Sequence, residues 1–260
     1  MQIYSNPWHI ISAILIFILG ILLTIKIKNK LNLKSSISIL LYLWHTFFCL
    51  FYLWYSLSNS ADSTRYYSKA LAGNINFEFG TAGVDYFTAL LVQGLGLSYL
   101  GCFLIYNLIG SVGLLYFYKI LNIATLNSPK KIKYLATIII FLPSISFWSS
   151  AIGKDAISFL SICLALWAAL ELNRRSFLML IAICLMLLVR PHMAGVMVIG
   201  LSISSFLEPK SSIAKKILTG SFSIIIASAL IPYALDYAGI KDEVTSETLM
   251  NYIESRQGSN

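Results

Sequence analysis

Charge is scarce in this sequence. Only 12% of its 260 residues are Asp, Glu, Lys or Arg, about half the share found in an ordinary soluble domain. Together with 58% hydrophobic residues, that scarcity excludes a water-soluble globular fold. It excludes a disordered chain too, which needs low hydrophobicity and high charge. Cysteine is sparse: Cys49, Cys102, Cys163 and Cys184 fall singly inside apolar stretches, with no CxxC pair. They give neither a disulfide framework nor a thiolate metal site, and read as small buried apolar residues. Histidine is nearly as rare, and His9 and His45 stand alone in hydrophobic segments, without metal-ligand spacing. The 19 Lys and Arg outnumber 11 Asp and Glu. They are scattered and not gathered on one face, so nucleic acid is not the expected partner. No internal repeat or prominent GxxxG motif is present, so the repeat symmetry of many transporters is not visible.

What the sequence has is long hydrophobic runs. A spanning helix needs about 20 mostly apolar residues. Residues 8–25, 37–57, 100–118, 134–149, 156–170, 177–189, 193–207 and 217–235 meet or approach that length. The expected fold is all-α and polytopic, with about eight transmembrane or re-entrant helices. The four middle stretches are short for a hydrocarbon core of about 30 Å. They either extend into flanking polar residues or pair as re-entrant hairpins buried in protein. The first stretch lacks a positive leader and a small-residue cleavage site, so it reads as a retained span and not a signal peptide. Trp8 at its start fits an interface anchor.

Lysine and arginine set the expected orientation, because cytoplasmic connections are enriched in them. Lys26, Lys28, Lys30 and Lys34 fall in the first connection, and Lys119, Lys130, Lys131 and Lys133 in the third. Arg174 and Arg175 fall in the fifth, and Lys210, Lys215 and Lys216 in the seventh. Thirteen of the 19 basic residues therefore share one side under alternating threading, while nine of the 11 acids fall on the other. This puts the N-terminus outside. Counting residues 84–97 as a span would reverse the later clusters, so that segment reads as an interfacial helix. The expected organisation is a transmembrane domain over 1–235 with a long outer loop at 58–98, then a polar outer segment at 236–260.

Three polar groups fall at the outer face. In the loop, "ADSTRYYSK" starts a short helix expected over 63–72, ending at Gly73, with Gly80 and Gly83 bounding the second helix. Asp62 lies just beyond the second span, where burial would raise a carboxylate pKa toward base work. A solvated helix cap is the plainer alternative. In "LPSISFWSSAIGKDAISF", Pro143 interrupts a span, and Gly153, Lys154 and Asp155 turn the chain into the next. Asp155 suits a helix start. Lys154 either meets an anionic headgroup or phosphate, or is a plain interfacial lysine. In "LLVRPHMAG", Arg190 and His192 interrupt an apolar run at a proline, which breaks the helix. Arg offers a planar fork for phosphate, and His a hydrogen bond or a proton shuttle. The structural alternative has Arg190 paired with Asp155 or snorkelling. A carboxylate base beside cationic groups suits a phosphate leaving group next to an activated hydroxyl.

With these motifs the chain resembles the GT-C membrane glycosyltransferases that use polyprenyl-phosphate sugars, especially mannosyltransferase-like and surface-polysaccharide proteins of bacteria. The resemblance is carried by "ADSTRYY", by "GLGLSYLGCFLIYNLIGSVGLLYFYKIL" and by "LPSISFWSSAIGKDAISF", across residues 58–170. "LLVRPHM" is similar to a segment of polysaccharide-polymerase-like proteins. The resemblance implies sugar transfer from a polyprenyl-phosphate or -diphosphate donor to a cell-surface glycan or lipid, at the outer face of a bacterial inner membrane. It implies Asp62 as the base and Asp155 as a second site acid. A phosphate-binding role for Lys154, Arg190 and His192 follows from their chemistry. The family's first-loop acid is often paired, whereas Ser63 follows Asp62 here. No metal ligands are expected, and participation of a divalent cation stays open. Family members are usually longer, so the chain reads as a piece of a longer protein. The alternatives are a polymerase or ligase of lipid-linked repeat units, a lipid-linked-sugar flippase, and a non-catalytic scaffold.

Overall fold

The structure is a computed structural model and describes residues 3–73, 76–207 and scattered positions from 213 to 229. The described residues form helices, turns and connecting segments, with no strand among them. The chain divides into a first unit, Met1–Arg190, and a second, Pro191–Asn260.

Local chemistry sets most helix ends of the first unit. Helix α1 (Pro7–Leu31) begins with proline at a position where its missing N–H is no loss, and Asn6 Oδ1 accepts from the His9 N–H at 3.0 Å. It ends at Asn32, held at φ 52°, with Lys28 and Lys30 in the last turn where cations suit the helix dipole. Helix α2 (Ser35–Ser58) follows, then α3 (Asp62–Ala72), closed by Gly73 at φ 78°. Helix α4 (Thr81–Ala89) runs into one π turn, Leu90–Gly94. Ser98 caps α5 (Tyr99–Ala124) by accepting from the Gly101 N–H at 3.1 Å. Helix α6 (Lys130–Ile140) stops three residues before Pro143, because Leu142 must be extended ahead of a proline; α7 (Pro143–Ser149) restarts there. Helices α8 (Lys154–Ala169) and α9 (Leu172–Val189) complete the unit, α9 carrying a kink at Arg175.

Five helical segments are long and apolar enough to cross a membrane: Pro7–Leu31, Ser35–Ser58, Tyr99–Ala124, Lys130–Ser149 and Leu172–Val189. The stretch expected over 156–170 is the 16-residue α8, and that over 193–207 lies in α10 (Pro191–Leu207) of the second unit. The stretch at 217–235 falls mostly, and the tail at 236–260 wholly, outside the described residues.

Helix α5 is the centre of the first unit. It packs against α1, α2, α6, α7 and α8, and α8 packs in turn on α9. Toward the Asp62 end the core is aromatic, with Tyr52, Tyr66, Tyr99, Phe103 and Tyr106 buried together. A smaller cluster of Leu41, Leu114, Tyr118 and Ile140 lies toward the lysine-rich connections.

A polar network crosses this apolar interior. His45 Nδ1–H donates to Asn107 Oδ1 at 2.5 Å, and His45 Nε2 meets Ser149 Oγ at 3.0 Å. Asn107 Nδ2 donates to Thr46 Oγ1 at 2.9 Å, whose hydroxyl donates to the Tyr42 carbonyl at 2.8 Å. Links from α2, α5 and α7 therefore meet at one histidine. Gly110 allows the approach: a Cβ there would lie 2.0 Å from the Ser149 carbonyl oxygen and 2.8 Å from the His45 ring.

Trp8 is tied into the fold by a hydrogen bond. Its indole N–H donates to the Leu95 carbonyl at 2.9 Å, tying the start of α1 to the segment after the π turn. Cys49, Cys102 and Cys163 are buried, whereas Cys184 is exposed on α9.

Candidate functional site

The loop 58–98 and the turns at 150–155 and 190 bring charges from three elements into one neighbourhood. Asp62 is the first residue of α3, and the Arg65 guanidinium one turn on lies 3.5 Å from its carboxylate. The Asp62 side chain is 74% exposed. The burial on which its base role was expected to rest is therefore absent; what remains is a carboxylate open to an incoming hydroxyl.

Asp155 was expected to cap α8. The cap position is instead Gly153, with no side-chain cap bond, and Asp155 stands in the first turn. Its carboxylate accepts from Arg190 at 2.5 Å. The structural alternative for Arg190 is thus realised. Arg190 ends α9 just before Pro191, its own N–H donating to the Met186 carbonyl at 2.7 Å. The pair leaves capacity over: Arg190 Nε is buried and has no hydrogen-bond partner.

Lys154 ties the two groups together. Its ammonium is half-buried and within electrostatic reach of Arg190, Asp62, Arg65 and Asp155. Burial, and next the Arg190 guanidinium, push its pKa below the ordinary lysine value, against the opposing pull of the two carboxylates. Three cations and two carboxylates leave a formal charge of +1. That balance suits an anion arriving with its own charge. Tyr52 near the end of α2 is within electrostatic reach of Asp62 and Asp155 as well.

A shallow cleft of about 310 Å³ opens where α2 turns into α3. Ser56, Leu57, Ser58, Asn59 and Thr64 line it, all uncharged and mostly hydroxyl- or amide-bearing. Asp62 lies in the chain between Asn59 and Thr64.

The structure brings Asp62, Asp155 and Arg190 within electrostatic reach of Lys154. His192 belongs to the second unit, in the first turn of α10 with its ring half-buried. Among the described residues no group of three or more His, Cys, Asp or Glu could hold a metal ion.

Several contributors were missed in the sequence. Arg65 was not singled out in the sequence. Asp85 was assigned to a surface helix, yet its side chain is 6% exposed and its Oδ2 accepts from Lys69 Nζ at 3.1 Å. Its Oδ1 is buried without a hydrogen-bond partner. The signal was present: a lone acid opening the apolar run after Gly83 is costly to bury and needs a cation. Nearby, burial pushes the Tyr66 phenol up to about 12, keeping it neutral.

No family model, curated protein or solved structure matches the chain.

Proposed function

We propose that this protein is a membrane glycosyltransferase. It takes a sugar from a polyprenyl-phosphate or -diphosphate donor and passes it to a cell-surface glycan or lipid acceptor. The observation that carries the reading is the meeting of an exposed carboxylate, Asp62, with Lys154 and Arg190, Asp62 lying in the same α2–α3 connection that lines an uncharged cleft. Each part has a task in one displacement. The acceptor oxygen bonds to the sugar's anomeric carbon as the bond from that carbon to the phosphate oxygen breaks. Asp62 takes the acceptor's proton, and the phosphate leaves with the electron pair. Lys154 and Arg190 stabilise its charge. Asp155 holds the Arg190 fork toward the site and is a positioning group in this scheme.

The membrane setting belongs to the same proposal. Eight crossings place the thirteen-residue basic majority inside and the Asp62 end outside, with the N-terminus outside, in a bacterial inner membrane. The two loop helices then rest at the outer boundary, within reach of a lipid headgroup. Their aromatic neighbours Trp54, Tyr55 and Trp148 are exposed, as suits the interface between hydrocarbon and water.

The test is genetic and chemical. Deleting the gene in its host is expected to remove one sugar from, or shorten, a surface glycan, with accumulation of a lipid-linked intermediate. Wild type restores the glycan. Asp62→Asn at matched expression does not, with transfer lowered by about 10² to 10⁴. Full complementation by Asp62→Asn removes the base assignment. Accumulated single repeat units on lipid, with every glycosidic bond present, would instead favour a polymerase.

A further inference from the structure

The charge cluster has two halves on separate elements. Asp62 and Arg65 ride on α3, while Lys154, Asp155 and Arg190 stand at the adjoining ends of α8 and α9. Helix α3 packs chiefly on α4 and the π turn, and α4 packs on α9. One path from one half to the other therefore runs through α4, beside a second through α2 and α7.

Both ends of that path are made of specific contacts. At the α9 end, the Gly80 N–H donates to the Leu188 carbonyl at 2.9 Å, two residues before Arg190. Gly83 backs onto the same carbonyl so closely that a Cβ would lie 2.3 Å from its oxygen. The contact is backbone against backbone, which leaves little room to slide. At the α3 end, Gln93 Nε2 donates to the Ala70 carbonyl at 2.7 Å. Beside it, Lys69 Nζ reaches the buried Asp85 carboxylate at 3.1 Å. Lys69 is half exposed but Asp85 is buried, so removing Lys69 leaves a buried carboxylate without its cation. Lys69 is seven residues from Asp62 on the same helix, roughly 10 Å along its axis. A small tilt of α3 at Lys69 is therefore carried to Asp62.

We propose that Lys69 and Asp85 are positioning residues, a latch that fixes α3 on α4 and so holds Asp62 in register with Lys154 and Arg190. The latch touches no reacting atom. Its catalytic consequence rests on the glycosyltransferase reading; its structural consequence does not.

The test measures distance first and activity second. Spin labels go on Ser68→Cys in α3 and Gly153→Cys before α8, in a Cys184→Ser background and in the full chain in lipid nanodiscs. Ser68 is exposed, and a Cβ at Gly153 meets nothing within 4 Å. The parent is expected to give one narrow distance. Lys69→Met and Gly83→Ala are expected to lose it, giving a shifted or broadened distribution, and Lys69→Arg is expected to keep it. An unchanged narrow distance in both Lys69→Met and Gly83→Ala overturns the proposal. If Lys69→Met gives no monodisperse protein, Gln93→Leu takes its place with Gly83→Ala under the same criterion. Where transfer is measurable, Lys69→Met is expected to lower kcat about a hundredfold with little change in donor KM, as for a misplaced reacting group. A protein with no transferase activity that still shows these distance changes would retain the latch and lose the enzymatic reading.

Discussion

Two polar groups interrupt this apolar bundle, and they spend their hydrogen bonds in opposite ways. Around His45 both ring nitrogens are engaged, as are both ends of the Asn107 amide. Every partner belongs to the bundle itself, and His45 and Asn107 have no exposed surface. The group around Lys154 is half-open: Asp62 is mostly exposed, and the Arg190 and Asp155 side chains are partly so. A closed network fixes helices to one another, since nothing is left over for a ligand. An open cluster of mixed charge keeps donors for something that arrives from outside. Intramembrane histidine is ordinarily a reason to suspect function; here both His45 ring nitrogens are taken up within the bundle, which assigns His45 to architecture.

Breaking the closed network is expected to have the largest effect. In Gly110→Ala the new methyl meets a backbone carbonyl at 2.0 Å, and a carbonyl cannot rotate aside as a side chain can. Helix α7 must then lift from α5, opening the Ser149–His45 contact. The expected outcome is a loss of about 3 kcal/mol or of folded protein altogether, read as thermal unfolding in detergent or nanodiscs. An unchanged melting temperature would show that α7 is not held where the structure has it.

Breaking the open cluster is expected to spare stability and remove binding. The Arg190 and Asp155 side chains are 32% and 47% exposed, so solvent screens their ion pair and its loss costs under about 1 kcal/mol. Arg190→Met should therefore melt close to wild type. Its affinity for a short isoprenyl monophosphate, measured by calorimetry, should fall by at least tenfold, since a charge-assisted bond is worth about 1.5–3 kcal/mol. A large stability loss with unchanged affinity would reverse the contrast between the two clusters and make Arg190 a structural residue.

That contrast was half-legible in the sequence. Hydrophobic runs and helix punctuation located α1, α2 and α5, because spanning length and Gly or Pro breaks act locally. The four polar positions Asp62, Lys154, Asp155 and Arg190 stood out, because ionisable residues next to apolar runs are rare and expensive. The pairing of Arg190 with Asp155 stood as one alternative that the sequence could not choose. Whether Asp155 caps a helix or grips Arg190 depends on how α8 packs on α9, across 35 residues of sequence. Asp85 was hidden for the same reason: a surface helix and a buried one read alike over a few turns, and only Lys69 on another helix makes its burial tolerable. His45 stood alone in its apolar run, and its partners lie 62 and 104 residues away, beyond any local pattern.

The smallest expected effect sharpens the role of Lys154 through pH. Burial first, then Arg190, hold its ammonium below the ordinary lysine value. For stability the sign is positive with rising pH. Between the lowered value and the ordinary one, the unfolded chain keeps a proton that the folded chain has released, so folding is favoured as pH rises through that window. Below the window both states are charged and the folded state carries the full burden of the buried ammonium. For anion binding the sign is reversed. Lys154 loses its charge earlier than a solvent-exposed lysine, so affinity for the isoprenyl monophosphate should start to fall before pH reaches the usual lysine range of about 10. Lys154→Arg keeps its charge throughout this range and should flatten the decline. Equal slopes for wild type and Lys154→Arg would mean that the anion does not meet this ammonium, and the leaving-group role would pass to Arg190 and Arg65.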